Sequence, residues 1–305
     1  MRDGETNMDR ILVHISINIR MAVVEALKEE IKASNKKYGA NTTLGASTSQ
    51  PEGAWLRDGL AQGNLPGMAL AHGTDFASLS QEQLEEIMLP LPDKFPMDSG
   101  LEDRGLRDPA GLLHPMFLIP FVMICNSSML APHERPAGWE DLLDSRWHGQ
   151  VCFPARDTPI AQVVTACLRT HYPASYQEFA ARLSFLKSPV EVIRAVGEGQ
   201  YPLGIANLGF AKMLTGQQVS TIWPAEGAVC SPLVLAFFQP AQPRWLELGE
   251  VLFRPVLQDM AARQGFIPVR SANLGLADIA GPGRELAWPG WQAYLASLRT
   301  GDAKP

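Results

Sequence analysis

Residues 120–159, PFVMICNSSMLAPHERPAGWEDLLDSRWHGQVCFPARDTP, set the α/β grammar of the whole chain. The stretch begins inside an apolar run, residues 117–125, which is short enough to be a buried strand. Asn126, Ser127 and Ser128 end that run, because their side chains hydrogen-bond nearby backbone and favour turns. Pro132 and Pro136 keep the connection irregular, and residues 139–143 (WEDLL) read as a short amphipathic helix. Beyond Asp144, Ser145 and Arg146 a second apolar strand spans residues 149–153. Asp157, Thr158 and Pro159 then signal a helix start, with an N-cap candidate ahead of proline. Two strands joined by a helix, the second opening a further helix, form an α/β pattern.

The same grammar runs back to the N-terminus. Residues 11–15 (ILVHI) read as a strand rich in β-branched side chains. Residues 21–38 carry Val24, Leu27, Ile31 and Ala33 on one side and Lys28, Glu29, Glu30 and Lys32 on the other, and Gly39 supplies a stop. Strands are expected at 42–46 and 67–71, with a short helix at 55–62 between them. This is a doubly wound half-domain, in which ligands bind outside the carboxyl ends of the strands. Residues 16–18, 47–49 and 72–75 therefore fall along one lip, with Ser16, Asn18, Ser47, Thr48, Thr74 and Asp75 as candidate ligand contacts. The competing reading makes these residues turn formers and helix caps. His14 and His72 would lie on neighbouring strands in a 2-1-3 order, where a two-histidine metal site is conceivable. The commoner fate of a histidine in an apolar strand is to be a satisfied core residue, and no metal ligand is assigned.

Residues 79–88 are expected to form a helix capped by Ser80, and residues 89–115 a long loop. Downstream, helices are expected at 158–171, 176–186, 189–198 and 211–214, with a buried strand at 202–207. A strand returns at 229–238, and a long helix spans 245–264, kinked at Pro255. A last helix covers 288–298, with Trp288, Trp291, Tyr294 and Leu298 as its docking face.

Composition excludes several functions. At 305 residues one core stops growing and two lobes are expected. The net charge of −6 comes with no basic stripe of the kind nucleic-acid binders carry. No run of about 18 apolar residues exists to span a bilayer. Cys125, Cys152, Cys167 and Cys230 show no metal-ligand spacing and sit in apolar surroundings, as small hydrophobes do. The chain has no G-x-S-x-G elbow, no phosphate-binding G-x-x-x-x-G-K-[ST] loop, no G-x-G-x-x-G after a strand and no H-E-x-x-H. Non-enzymatic function is the expectation, with His14, His72 and Asp75 the only acid–base candidates.

Four segments in order resemble type II periplasmic solute-binding proteins of ABC importers, nearest the branch carrying ferric iron, thiamine, polyamines and phosphonates. They are the opening stretch, Gly197-Glu198-Gly199 with residues 202–206, the Pro224-Ala225-Glu226-Gly227 turn, and Phe253-Arg254-Pro255 with residues 264–269. They cover residues 115–270; the first 110 residues resemble the family in layout only. The resemblance implies a two-lobed α/β fold, each lobe a doubly wound mixed sheet flanked by helices. Lobe one would be residues 1–118 plus 236–305 and lobe two 119–235, joined by two hinge strands that permit closure. It places second-lobe ligand contacts at Asp157, Thr158 and Asn207, where a helix N-terminus suits an anion. The iron-carrying branch uses tyrosines at the end of the later strand. Here residues 205–209 read IANLG, which points from ferric iron to a small polar, anionic solute. Expected partners are that small molecule and an ABC permease, with no cofactor, a monomeric form and a periplasmic location. Residues 1–10 are polar and acidic, unlike a secretion signal, so a cytoplasmic ligand sensor of the same fold stays open beside the transporter reading. An enzyme on this scaffold, a transferase or lyase, is the second alternative.

Overall fold

The computed structural model describes residues 9–46, 53–213, 218–240, 242–270 and 275–299. β1 (Arg10–His14) leads into α1 (Ile17–Tyr38), which buries Ile19, Val23, Leu27 and Ile31. These residues recur every four positions, so they form one stripe against the core. Each buried aliphatic side chain contributes about 1.5–3 kcal/mol. Gly39 closes the helix in the left-handed region at φ 62°. β2 (Thr43–Ala46), α2 (Ala54–Ala61) and β3 (Met68–His72) follow. Ser80 caps α3 (Gln81–Ile87): Gln83 N donates to Ser80 Oγ at 3.2 Å while Ser80 N donates to Gln83 Oε1 at 2.8 Å. The loop beyond it holds one helical turn, α4 (Ser99–Glu102), before β4 (His114–Asn126), which is buried throughout.

Next come β5 (Val151–Pro154), α5 (Pro159–His171), α6 (Pro173–Ala180), β6 (Ser184–Leu186) and α7 (Pro189–Gly197). β7 (Leu203–Asn207), α8 (Leu208–Met213), β8 (Val219–Ile222) and β9 (Ala228–Phe237) complete the middle of the chain. The C-terminal part contains α9 (Pro243–Glu250), α10 (Pro255–Arg263), β10 (Ile267–Pro268), α11 (Leu276–Ala280), β11 (Leu286–Ala287) and α12 (Trp291–Arg299).

Two compact units divide these elements. Unit one takes Met1–Leu118, Pro232–Gln264 and Pro268–Asn273; unit two takes Ile119–Ser231, Gly265–Ile267 and Leu274–Pro305. The chain changes unit within β4, at Leu118–Ile119, and again within β9, at Ser231–Pro232. In unit one β1 pairs in parallel with β2 and β3, giving the expected 2-1-3 order, and β3 runs antiparallel to the Leu233–Phe237 part of β9. In unit two β5 pairs in parallel with β6 and β7, while β7 and β8 both run antiparallel to the second half of β4.

Four expectations need correction. The helix read over 176–186 ends at Ala180, and Ser184–Leu186 is a strand whose Phe185 lies opposite Phe153 of β5. A short apolar run carries too little periodicity to separate helix from strand, and the open edge of β5 decides for strand. β8 has no counterpart in the sequence reading. The helix over 245–264 is broken rather than kinked. A 3₁₀ turn at Val251–Phe253 precedes Arg254, which is extended (φ −66°, ψ 138°) because proline disfavours helical backbone in the residue before it. The C-terminal segment, expected with residues 1–118, belongs to unit two. Tyr294 OH and Ser231 Oγ share a hydrogen bond of 2.8 Å, Arg169 Nη2 donates to Ser297 O at 2.6 Å, and Trp291, Tyr294 and Leu295 are buried. Among the described residues no helix is long and apolar enough to cross a membrane.

Candidate functional site

In unit one the parallel register sets His14 opposite Ala71, so the carboxyl ends of β1 and β3 lie side by side. Asp75, on the 3₁₀ turn Gly73–Phe76, is wholly buried there. Its carboxylate accepts from His14 Nδ1 at 2.8 Å, from His72 N at 3.2 Å and from Gly53 N. Gly53 has φ 69°, and a Cβ at that position would stand 2.9 Å from Asp75 O, so this close approach requires glycine. Burial by itself raises the Asp75 carboxyl, but the His14 hydrogen bond, the histidine charges and the Gly53 N–H outweigh it and hold the group below its ordinary value. His72 meets His14 edge-on at 6.0 Å, and burial lowers it to about 4, so its ring is neutral at pH 7. Both histidines and Thr74 are buried. The cluster is a strut that ties two strand ends to the loop ahead of α2. With no exposed surface, the Asp75 side chain is placed to hold these elements together.

Ser16 and Asn18 are half-buried at the start of α1. Ser16 occupies the N-cap position without a side-chain cap bond; its carbonyl accepts from Ile19 N at 3.2 Å and Arg20 N at 3.1 Å. Among the described residues Asn18 Oδ1 is buried and without a partner. Arg20 Nε and Nη2 donate to Ile15 O at 3.2 and 2.7 Å, holding a guanidinium beside this uncapped first turn. The sequence reading missed Arg20; its signal is a cation four residues past a strand-end serine. Ser47 and Thr48 lie outside the described residues.

In unit two Cys152 of β5 lies opposite Gly204 of β7, again setting two parallel strand ends together. Thr158 is a full cap: its Oγ1 accepts from Ala161 N at 3.3 Å and donates to Ala155 O at 2.7 Å. Asn207 is buried, and its Oδ1 accepts from Phe210 N at 2.8 Å. Asp157 is exposed at the same edge. Proline at 159 brings no N–H and Thr158 occupies that of Ala161, so α5 offers an anion less than its position suggests. Far off in sequence, Glu226 accepts from Trp139 N and Glu140 N at 3.0 Å each, so the Pro-x-Glu-Gly turn works as a clamp within unit two.

The described tyrosines stand elsewhere. Tyr172 OH donates to Glu226 Oε1 at 3.4 Å, Tyr38 OH donates to Glu247 Oε1 at 2.6 Å, and Tyr294 is bound to Ser231. Among the described residues no group of three or more His, Cys, Asp or Glu is placed to hold a metal ion. His14 and His72 are buried and meet edge-on, with His14 bonded to Asp75. As an acid–base pair they lack an exposed edge.

The sequence model of the bacterial extracellular solute-binding proteins matches residues 77–296. The chain belongs to this family. No curated protein matches its sequence. Solved structures share the fold of this solute-binding protein along nearly its whole length. The ferric binding protein from Campylobacter jejuni superposes with a TM-score of 0.71 at 14% identity, covering 95% of this chain and 96% of its own. The apo ferric ion-binding protein A of Pasteurella haemolytica gives 0.70 at 14%, covering 95% and 94%. Iron-bound HitA from Pseudomonas aeruginosa gives 0.67 at 13%, covering 97% and 99%. The fold is therefore the two-lobed α/β architecture of periplasmic binding proteins.

Proposed function

We propose that this solute-binding protein is the substrate-binding component of an ABC importer, that it takes a small polar solute on the strand-end edges of its lobes, and that hinge closure delivers it to the permease. The observation that carries this reading is the repeated layout: in each unit two parallel strands end together in polar residues, at Ser16–Asn18 and Thr74 in one and at Asp157 and Asn207 in the other. The anionic group of the solute belongs at the start of α1. That helix is 22 residues long, its first turn has no side-chain cap, and Arg20 stands beside it. In unit two the exposed Asp157 carboxylate repels an anion, so that edge by itself suits an amine or other donor.

A thermal-shift screen of phosphate, phosphonates, carboxylates, amino acids, polyamines and thiamine tests this, because a solute that binds only the folded form raises the midpoint. The expected hit carries a carboxylate or phosphonate, and Arg20→Ala and Asp157→Asn each weaken it at least tenfold. A hit insensitive to both substitutions would overturn the site, and a turnover product in the screen would favour an enzyme.

A further inference from the structure

Unit two contains a cavity of about 210 Å³. Its walls come from Val163 and Cys167 on α5, Val229 and Cys230 at the start of β9, and Trp288 and Tyr294 of the C-terminal segment. Val163 and Cys167 lie four and eight residues beyond the first residue of α5, about 6 and 12 Å along a helix axis, so the cavity runs along the body of the helix, one turn and more past the Asp157 edge. The polar groups around it are turned into the protein. Thr170 Oγ1 donates to Ala166 O at 2.8 Å, Ser297 Oγ donates to Tyr294 O at 2.8 Å, and Tyr294 OH is held by Ser231 Oγ. Burial raises the Cys167 thiol to about 11 and that of Cys230 to about 12, so neither brings charge at pH 7. What faces the space is mainly aliphatic carbon, sulfur and ring surface, together with the imidazole of His171, whose Nδ1 donates to Cys167 O at 2.9 Å. Trp288 and Tyr294 supply that surface as a tilted pair with centroids 5.0 Å apart. An apolar cavity of about 150 Å³ suffices to bind benzene, so this one admits a single substituted ring.

We propose that this cavity is a second ligand site, which takes a small uncharged monocyclic aromatic molecule between α5, the start of β9 and α12. It is independent of the transported solute. Ring edges and faces of Trp288 and Tyr294 would contact the ligand in the offset or edge-on geometries that aromatic pairs prefer. The thioether-like softness of protonated cysteine sulfur suits the same partner.

Fluorobenzene titrated against the full chain, observed by fluorine NMR, tests the site. Saturable broadening of the fluorobenzene signal is expected, and 4-fluorobenzoate should show none. Ala293→Trp, a substitution at an exposed position on the rim, should weaken fluorobenzene binding at least tenfold without lowering the thermal midpoint. Trp288→Leu keeps the wall apolar but removes its ring, and a comparable loss is expected there. No broadening with the wild-type chain overturns the proposal, as does unchanged affinity in both variants. Equal binding of 4-fluorobenzoate overturns the uncharged class.

Discussion

The carboxyl edge of unit one and that of unit two are built from the same kinds of residue and come out differently. In unit one a carboxylate, Asp75, is wholly buried and gathers three donors from β1, β3 and the loop before α2. In unit two a carboxylate, Asp157, stands exposed, and the neighbouring polar groups of Thr158 and Asn207 are spent on capping α5 and α8. A polar residue at a strand end is therefore a strut in one place and a solvent-facing group in the other. The difference comes from what lies over the strand end. Gly53 lets backbone approach Asp75 closely enough to seal it, while Asp157 stands exposed just ahead of the Thr158 cap.

The comparison predicts first that unit one is the acid-labile one. His72 and His114, both in unit one, are lowered by burial from 6.5 to about 4. The unfolded chain then binds more protons than the folded chain between about pH 6.5 and 4, so stability is full above that window and is lost as pH falls through it. Each histidine should cost about 2–3 kcal/mol between pH 7 and 4.5, read by urea unfolding. Hydrogen exchange at pH 4.5 should open β1 and β3 before β5 and β7, and the reverse order would break the comparison.

Asp75→Asn comes next. It weakens a buried charge-assisted network and should lower stability by about 3 kcal/mol. An unchanged urea midpoint would show that the three donors find other partners. Thr158→Ala should cost about 1 kcal/mol, the ordinary value of a lost N-cap, with α5 fraying in hydrogen exchange. Asp157→Asn should change stability by less than about 0.5 kcal/mol and show itself only in solute affinity. A large stability loss there would make Asp157 a second strut.

Much of the fold was legible because its signals are local. The four-residue spacing of α1, the stop at Gly39, the Ser80–Gln83 capping box and the Thr158 cap each depend on residues within a turn or two. Pro255 was legible as a disturbance, though its outcome as a break needed the extended Arg254 ahead of it. The candidate contacts were read as strand-end positions: Asn207 closes β7, Ser16 and Asp157 follow β1 and β5 by two and three residues, and Asn18 stands in the first turn of α1. Whether each faces inward was not legible. Asp75 is sealed by Gly53, 22 residues away, and by His14, 61 residues away, and no spacing rule carries such a pairing.

By itself, then, the sequence determined the α/β alternation, the caps and the strand ends, since hydrophobic period and backbone chemistry act over a few residues. Tertiary structure alone decided which carboxylate is buried, that residues 184–186 extend a sheet instead of a helix, and that α12 packs on unit two. Each of these turns on partners far off in sequence: β5 for the strand, and Ser231 and Arg169 for the last helix.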